Sequence, residues 1–169
     1  MKKLVISLFI FMLLPICAFS QPIDRLFIIE RSKNANIVCY DVNLDSQGQI
    51  VKEDPVKAYW LLYAEKNGEM EKLSIFDKKA YGFKVEYNEQ NKNYDFSLKA
   101  VEDKQMTIDM YANIPKVTIQ INDKKCFLEK VYISSKDGAF GIPKVSFYTL
   151  YGEDVLTGNK VEQKIVLKK

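Results

Sequence analysis

The chain of 169 residues carries 25 Lys and Arg against 22 Asp and Glu, is 47% hydrophobic, and contains no histidine. That length suits one ordinary domain rather than two, and a net charge of +3 gives no electrostatic case for a nucleic-acid surface. The missing histidine excludes Ser-His-Asp and Cys-His nucleophilic schemes and every His-ligated zinc or haem site.

The chain begins with a leader pattern. Lys2 and Lys3 precede an uncharged apolar run over residues 4–16, and Ala18-Phe19-Ser20 offers small residues where a signal peptidase reads. Residues 1–20 are therefore expected to be a signal peptide, cleaved before Gln21, with residues 21–169 forming a single domain. A retained anchor fits less well, because the run falls short of the ~20 residues a span requires and Pro15 interrupts it. No membrane span is expected after cleavage. A lipid anchor at Cys17 is disfavoured by bulky Ile16 before it. Lys2 and Lys3 leave with the leader, so the net charge of +3 becomes +1. The expected setting is exported, either periplasmic or secreted.

Residues 26–29 and 37–44 are apolar runs flanking Glu30-Arg31-Ser32-Lys33-Asn34-Ala35-Asn36, which reads as strand, polar turn, strand. Arg31 offers a rigid donor fork suited to a carboxylate or phosphate, and the amides of Asn34 and Asn36 can donate or accept. These three are candidate ligand-binding residues. Turn chemistry favours the alternative, in which the asparagines satisfy turn backbone and Arg31 pairs with an acid such as Glu30 or Asp54. Asp41, Asn43 and Asp45 have calcium-like spacing, but Ser46 and Lys52 stand where an EF-hand loop needs Gly and Glu. No metal and no cofactor are expected.

Residues 56–63, VKAYWLLY, are apolar almost without alternation, which predicts a strand covered on both faces. Tyr59 and Tyr63 fall on one face and Trp60 on the other. The two tyrosines join the candidate ligand contacts, and Trp60 is assigned to the core. Residues 69–79 lean helical, with Leu73, Phe76 and Ala80 at helical spacing and Gly82 as the stop. One short helix near residues 73–80 is predicted.

From Phe83 onward the period is two. Phe83, Val85 and Tyr87 alternate with charged residues. Tyr94, Phe96 and Leu98 follow, then Met106, Ile108 and Met110, then Val117, Ile119 and Ile121. Asn122-Asp123-Lys124 reads as a hairpin turn, and strands follow around residues 126–133, 145–151 and 161–167. Cys39 and Cys126 lie within strand-like runs. Export permits a disulfide between them, and two buried free thiols are the preferred alternative.

The predicted fold is mainly β: a single antiparallel meander closing as a barrel, with a β-sandwich as the alternative, and one short helix. Enzyme chemistry finds no motif; a carboxylate-based hydrolase is retained only because the spacing of two acids is spatial. The leading expectation is a non-enzymatic envelope or secreted binding protein. It would hold a small apolar or amphipathic ligand among Tyr94, Phe96, Leu98, Met106, Ile108 and Met110. A structural or interaction module with a filled core is the second reading, its protein partner unknown.

The stretch Phe27-Ile28-Ile29-Glu30-Arg31-Ser32-Lys33-Asn34-Ala35-Asn36-Ile37-Val38-Cys39-Tyr40-Asp41, followed by Pro55-Val56, Tyr59-Trp60 and Ala80-Tyr81-Gly82, resembles a family of uncharacterised exported proteins of Bacteroidetes-type bacteria. The resemblance spans nearly all of the mature chain. It implies a domain of unknown function in an exported bacterial setting, and it supplies no catalytic residues.

Overall fold

The structure, a computed structural model, describes residues 24–101, 104–136 and 144–167. The leader expected at residues 1–20 and the turn at Asp137-Gly138 lie outside them. The described residues start with the hairpin read from the sequence: β1 (Arg25–Arg31) pairs antiparallel with β2 (Ile37–Val42). On β2, Val38, Tyr40 and Val42 turn to the core, and Cys39 and Asp41 lie buried on the opposite face. β3 (Val56–Leu62) pairs with β2, and Tyr59 and Trp60, on its opposite faces, are both buried. Two-sided cover is thus realised at the strand's centre, while Lys57 is exposed.

After a single helical turn, α1 (Tyr63–Lys66), residues 69–72 depart from the helical expectation. They form β4 (Glu69–Lys72), whose exposed side chains show no alternation and whose backbone pairs with the second half of β3. Helix follows only at α2 (Asp77–Ala80). Ser74 and Asp77 prepare its start as a capping box: Asp77 Oδ2 accepts from the Ser74 backbone and hydroxyl at 3.0 and 2.6 Å, and the Asp77 N–H donates back to Ser74 Oγ. Gly82 is dictated by close approach, since a Cβ there would sit 2.2 Å from the Lys78 carbonyl oxygen.

The meander β5 (Phe83–Asn88), β6 (Asn93–Leu98), β7 (Met106–Tyr111) and β8 (Ile114–Ile121) follows, with a 3-10 turn (Lys99–Val101) after β6. The turns joining β7 to β8 and β8 to β9 are two-residue loops with both residues at positive φ, Ala112-Asn113 and Asn122-Asp123. That geometry matches the twist of paired strands and is why Asn and Asp serve there.

β9 (Lys124–Lys136) joins the two halves of the molecule. Its first residues pair antiparallel with β8, and residues 130–133 pair parallel with β1. Between these stretches the register against β10 (Lys144–Asp154) shifts: Tyr151 faces Lys130 but Gly152 faces Leu128. Glu129 is the extra residue of a β-bulge, which bends the strand from one layer to the other. A Cβ on Gly152 would lie 2.5 Å from the Phe127 carbonyl oxygen, so the bulge needs glycine opposite. β11 (Lys160–Val166) closes the chain against β10.

The fold is mainly β, as expected, but the sheet does not close into a barrel. It runs β4-β3-β2-β1-β9-β8-β7-β6-β5, with β10 and β11 branching from β9, and among the described residues nothing pairs β4 with β5. It is also mixed rather than a pure antiparallel meander, because β1 and β9 run parallel. The two arms fold over each other as in a sandwich. Phe27 and Tyr40 stack within one arm at 4.4 Å, and Phe83 and Phe96 within the other at 5.4 Å. Edge contacts cross between them: Phe27–Phe96 at 5.9 Å, Tyr40–Phe83 at 6.2 Å and Tyr40–Phe96 at 6.3 Å. These rings, fully buried at Phe27, Tyr40 and Phe96 and partly buried at Phe83, tie the layers together, with the Tyr40 hydroxyl donating to the Tyr81 carbonyl at 2.6 Å. No helix among the described residues is long and apolar enough to cross a membrane.

Candidate functional site

The sequence-predicted residues fall at three places. Arg31 ends β1 on the core side, where its guanidinium lies 4.4 Å from the Trp60 ring centroid and donates through Nη2 to Asn34 Oδ1 at 2.9 Å. The same Asn34 oxygen accepts the Asn36 backbone N–H at 3.3 Å. Asn36 is buried and holds α1: its Oδ1 accepts from the Ala64 backbone at 2.8 Å, and its Nδ2 donates to Glu65 at 2.6 Å. The asparagines therefore satisfy turn and helix backbone. The acids considered for Arg31 are engaged elsewhere, Glu30 with Lys130 and Asp54 with Asn43. Arg31 Nε is buried without a hydrogen-bond partner among the described residues. Asp77 lies nearby; burial works to raise its carboxyl, yet hydrogen bonds from Ser74, the Trp60 indole and the Arg31 charge hold it below the usual carboxylate range.

Tyr59 sits on the outer face of β3, away from this cluster. Its hydroxyl accepts from Arg25 Nη2 at 2.9 Å and donates to Asp41 Oδ2 at 2.5 Å, while Arg25 Nε donates to Asp41 Oδ1 at 2.6 Å. Burial, then the bond to Asp41, pushes the phenol up to about 12. Beside it, burial pushes the Cys39 thiol up to about 11. This closed triad leaves Tyr59 no free polar atom for a ligand. Tyr63, half exposed at the start of α1, packs its ring over Gly68. Arg31, Asn34 and Asn36 are thus brought together, and neither tyrosine joins them. Cys39 and Cys126 are both buried free thiols and form no bridge.

An apolar opening lies elsewhere, between the arms where β9, β10 and β11 splay from the aromatic cluster. It is a cavity of about 330 Å³. Ile29 of β1, Leu98 of β6, Met106 of β7 and Ile119 of β8 form one wall, and Leu128, Val131, Tyr148 and Leu150 of β9 and β10 form the other. All eight are buried. Toward the surface the lining becomes the half-exposed Val101, Lys104, Val145, Ile165 and Leu167. Lys104 is the one charged side chain among the described lining residues and makes no ion pair with them. Leu98 and Met106 belong to the set expected from the meander. The β9–β11 wall was hidden by the bulge at Glu129, which switches the inward positions from Cys126 and Leu128 to Val131 and Ile133.

A second cleft, of about 650 Å³, follows the open seam between β3 and β5. Val56, Ala58, Leu73 and Phe83 floor it, and Lys57, Lys72, Lys78, Lys99 and Asp54 surround it. Among the described residues no group of three or more His, Cys, Asp or Glu side chains comes together to hold a metal.

Fold and cavity together define the class: a mainly β, two-layered open sheet with an apolar space between its layers. The chain belongs to the family described as a domain of unknown function (DUF4833), whose model matches residues 27–164. Neither a curated protein nor a solved structure matches it.

Proposed function

We propose that this is an exported, non-enzymatic binding protein of the bacterial envelope that holds a small apolar or amphipathic ligand between its layers. The observation that carries the reading is the interlayer cavity. About 330 Å³ lined by buried aliphatic, methionine and tyrosine side chains lies within the range of small-molecule sites. The space opens to the surface past Val145 and Leu167, and an apolar ligand entering it would take its hydrocarbon out of water against these walls. The leader pattern at residues 1–20 supports an envelope or extracellular setting.

The test is binding of the neutral fluorophore N-phenyl-1-naphthylamine, with Val131→Phe as the variant that places a ring in the cavity. The wild type should bind at a single saturable site, and the variant should lose at least tenfold in affinity. Equal binding by both, or none by the wild type, would overturn the reading. One observation favours a second reading, an interaction module: Ile75 and Phe76, before α2, are 79% and 80% exposed. Under the ligand reading, Phe76→Ser leaves fluorophore binding unchanged.

A further inference from the structure

We propose that the occupant of the interlayer cavity is an anionic single-chain amphiphile, a medium-chain carboxylate, whose head group is met by Lys104. This deepens the ligand reading and rests on it. Three observations converge. First, the wall is apolar on both layers, so the buried part of the ligand must be hydrocarbon; an ionised group carried in there would lose hydration with nothing to replace it. Second, the volume is small. Taking ~30 Å³ for a water-sized group, 330 Å³ accepts a chain of roughly ten carbons and no second chain beside it.

Third, Lys104 carries the one charge among the described lining residues. Lys104 follows the 3-10 turn, its backbone N–H donating to the Val101 carbonyl at 3.1 Å. It is half-exposed, lines the cavity and has no ion-pair partner among the described residues, and no described lining residue is acidic. A tail inserted between Leu98 and Val131 leaves its head at this rim, where an anion gains a cationic partner and keeps part of its water. A cationic head would meet like charge, and a neutral one would gain nothing from the ammonium, which stays hydrated at the half-exposed rim. Lysine suits the position: its methylenes extend the apolar lining while the ammonium reaches the edge.

The experiment is titration calorimetry of the full mature chain with decanoate and with 1-decanol, on wild type, Lys104→Gln and Lys104→Glu. For wild type, both ligands should bind. Lys104→Gln should weaken decanoate about fivefold, the scale of a solvent-accessible ion pair, and leave decanol unchanged. Lys104→Glu should weaken decanoate further, and raised salt should narrow the difference between wild type and Lys104→Gln. Decanoate and decanol both binding with no effect of either substitution would overturn the head-group assignment while the cavity reading stands. Failure of both ligands to bind wild type would overturn the cavity reading and this inference with it.

Discussion

Val131→Phe and Val117→Phe make the same chemical change at two buried positions, and the structure assigns them opposite effects. Val131 lines the interlayer cavity, whereas Val117 on β8 is fully buried away from it. Both are strand positions, so backbone propensity largely cancels. At Val131 the ring enters open space. Phe carries roughly four more side-chain carbons than Val, each worth up to about 0.8 kcal/mol if fully removed from water. Incomplete burial and lost rotamer freedom reduce this to a gain of about 1 kcal/mol. At Val117 the ring has nowhere to go, and overpacking should cost about 1–3 kcal/mol. The variants should therefore differ by about 2–4 kcal/mol, or roughly 6–12 °C in melting temperature for a domain of this size. Urea unfolding of both, with equal m-values, measures the difference directly. Equal destabilisation would refute the reasoning, because it would mean that the space beside Val131 is as full as that beside Val117.

Three further outcomes follow from other parts of the molecule. Cys39 and Cys126 are buried, with the Cys39 thiol pushed up to about 11 and Cys126 also raised by burial; neither should react with a disulfide reagent in the native protein at pH 8, and both should in denaturant. Rapid labelling of the folded chain would contradict their placement. The folded Cys39 and Tyr59 hold their protons above their ordinary values of 9 and 10, so their contribution to stability is complete below pH 9 and is lost as pH rises towards 11 and 12. Urea midpoints should fall across that window, and Cys39→Ala should flatten its lower part; an unchanged slope in the variant would rule out the thiol as a source. Trp60 is the sole tryptophan, and Arg31→Ala removes the cation over its ring. Its fluorescence should shift to the red, with a loss of about 1 kcal/mol; an unaltered spectrum would show that the stack does not form.

What could be read from the sequence was local. The β1–β2 hairpin follows from two apolar runs around a polar knot, and β5 to β8 follow from strict alternation closed by short turns. Asn122-Asp123 was legible because those residue types tolerate the positive φ that the turn needs. β4 was not, since residues 69–72 have no buried face and are strand only because β3 offers an unpaired edge. The parallel pairing of β1 with β9 joins positions about a hundred residues apart, and no periodicity encodes it. Without that pairing, a long meander naturally reads as a closing barrel.

The candidate site shows the same division. Arg31, Asn34 and Asn36 do cluster, because they share one turn, and the turn-bonding alternative describes the asparagines' contacts. Tyr59 reads as a candidate ligand contact until Arg25 and Asp41 enclose it, a triad assembled from three strands. The interlayer cavity takes its wall from both arms and from β9 beyond its bulge. One inserted residue, Glu129, changes which side chains face inward, and period-two reading loses the phase there.

The most direct measurement is a crystal structure of the mature protein grown with decanoate. The account predicts a single hydrocarbon chain between Leu98 and Val131, with its carboxylate at Lys104. An interior closed by the protein's own side chains, with decanoate absent from it, would contradict the account.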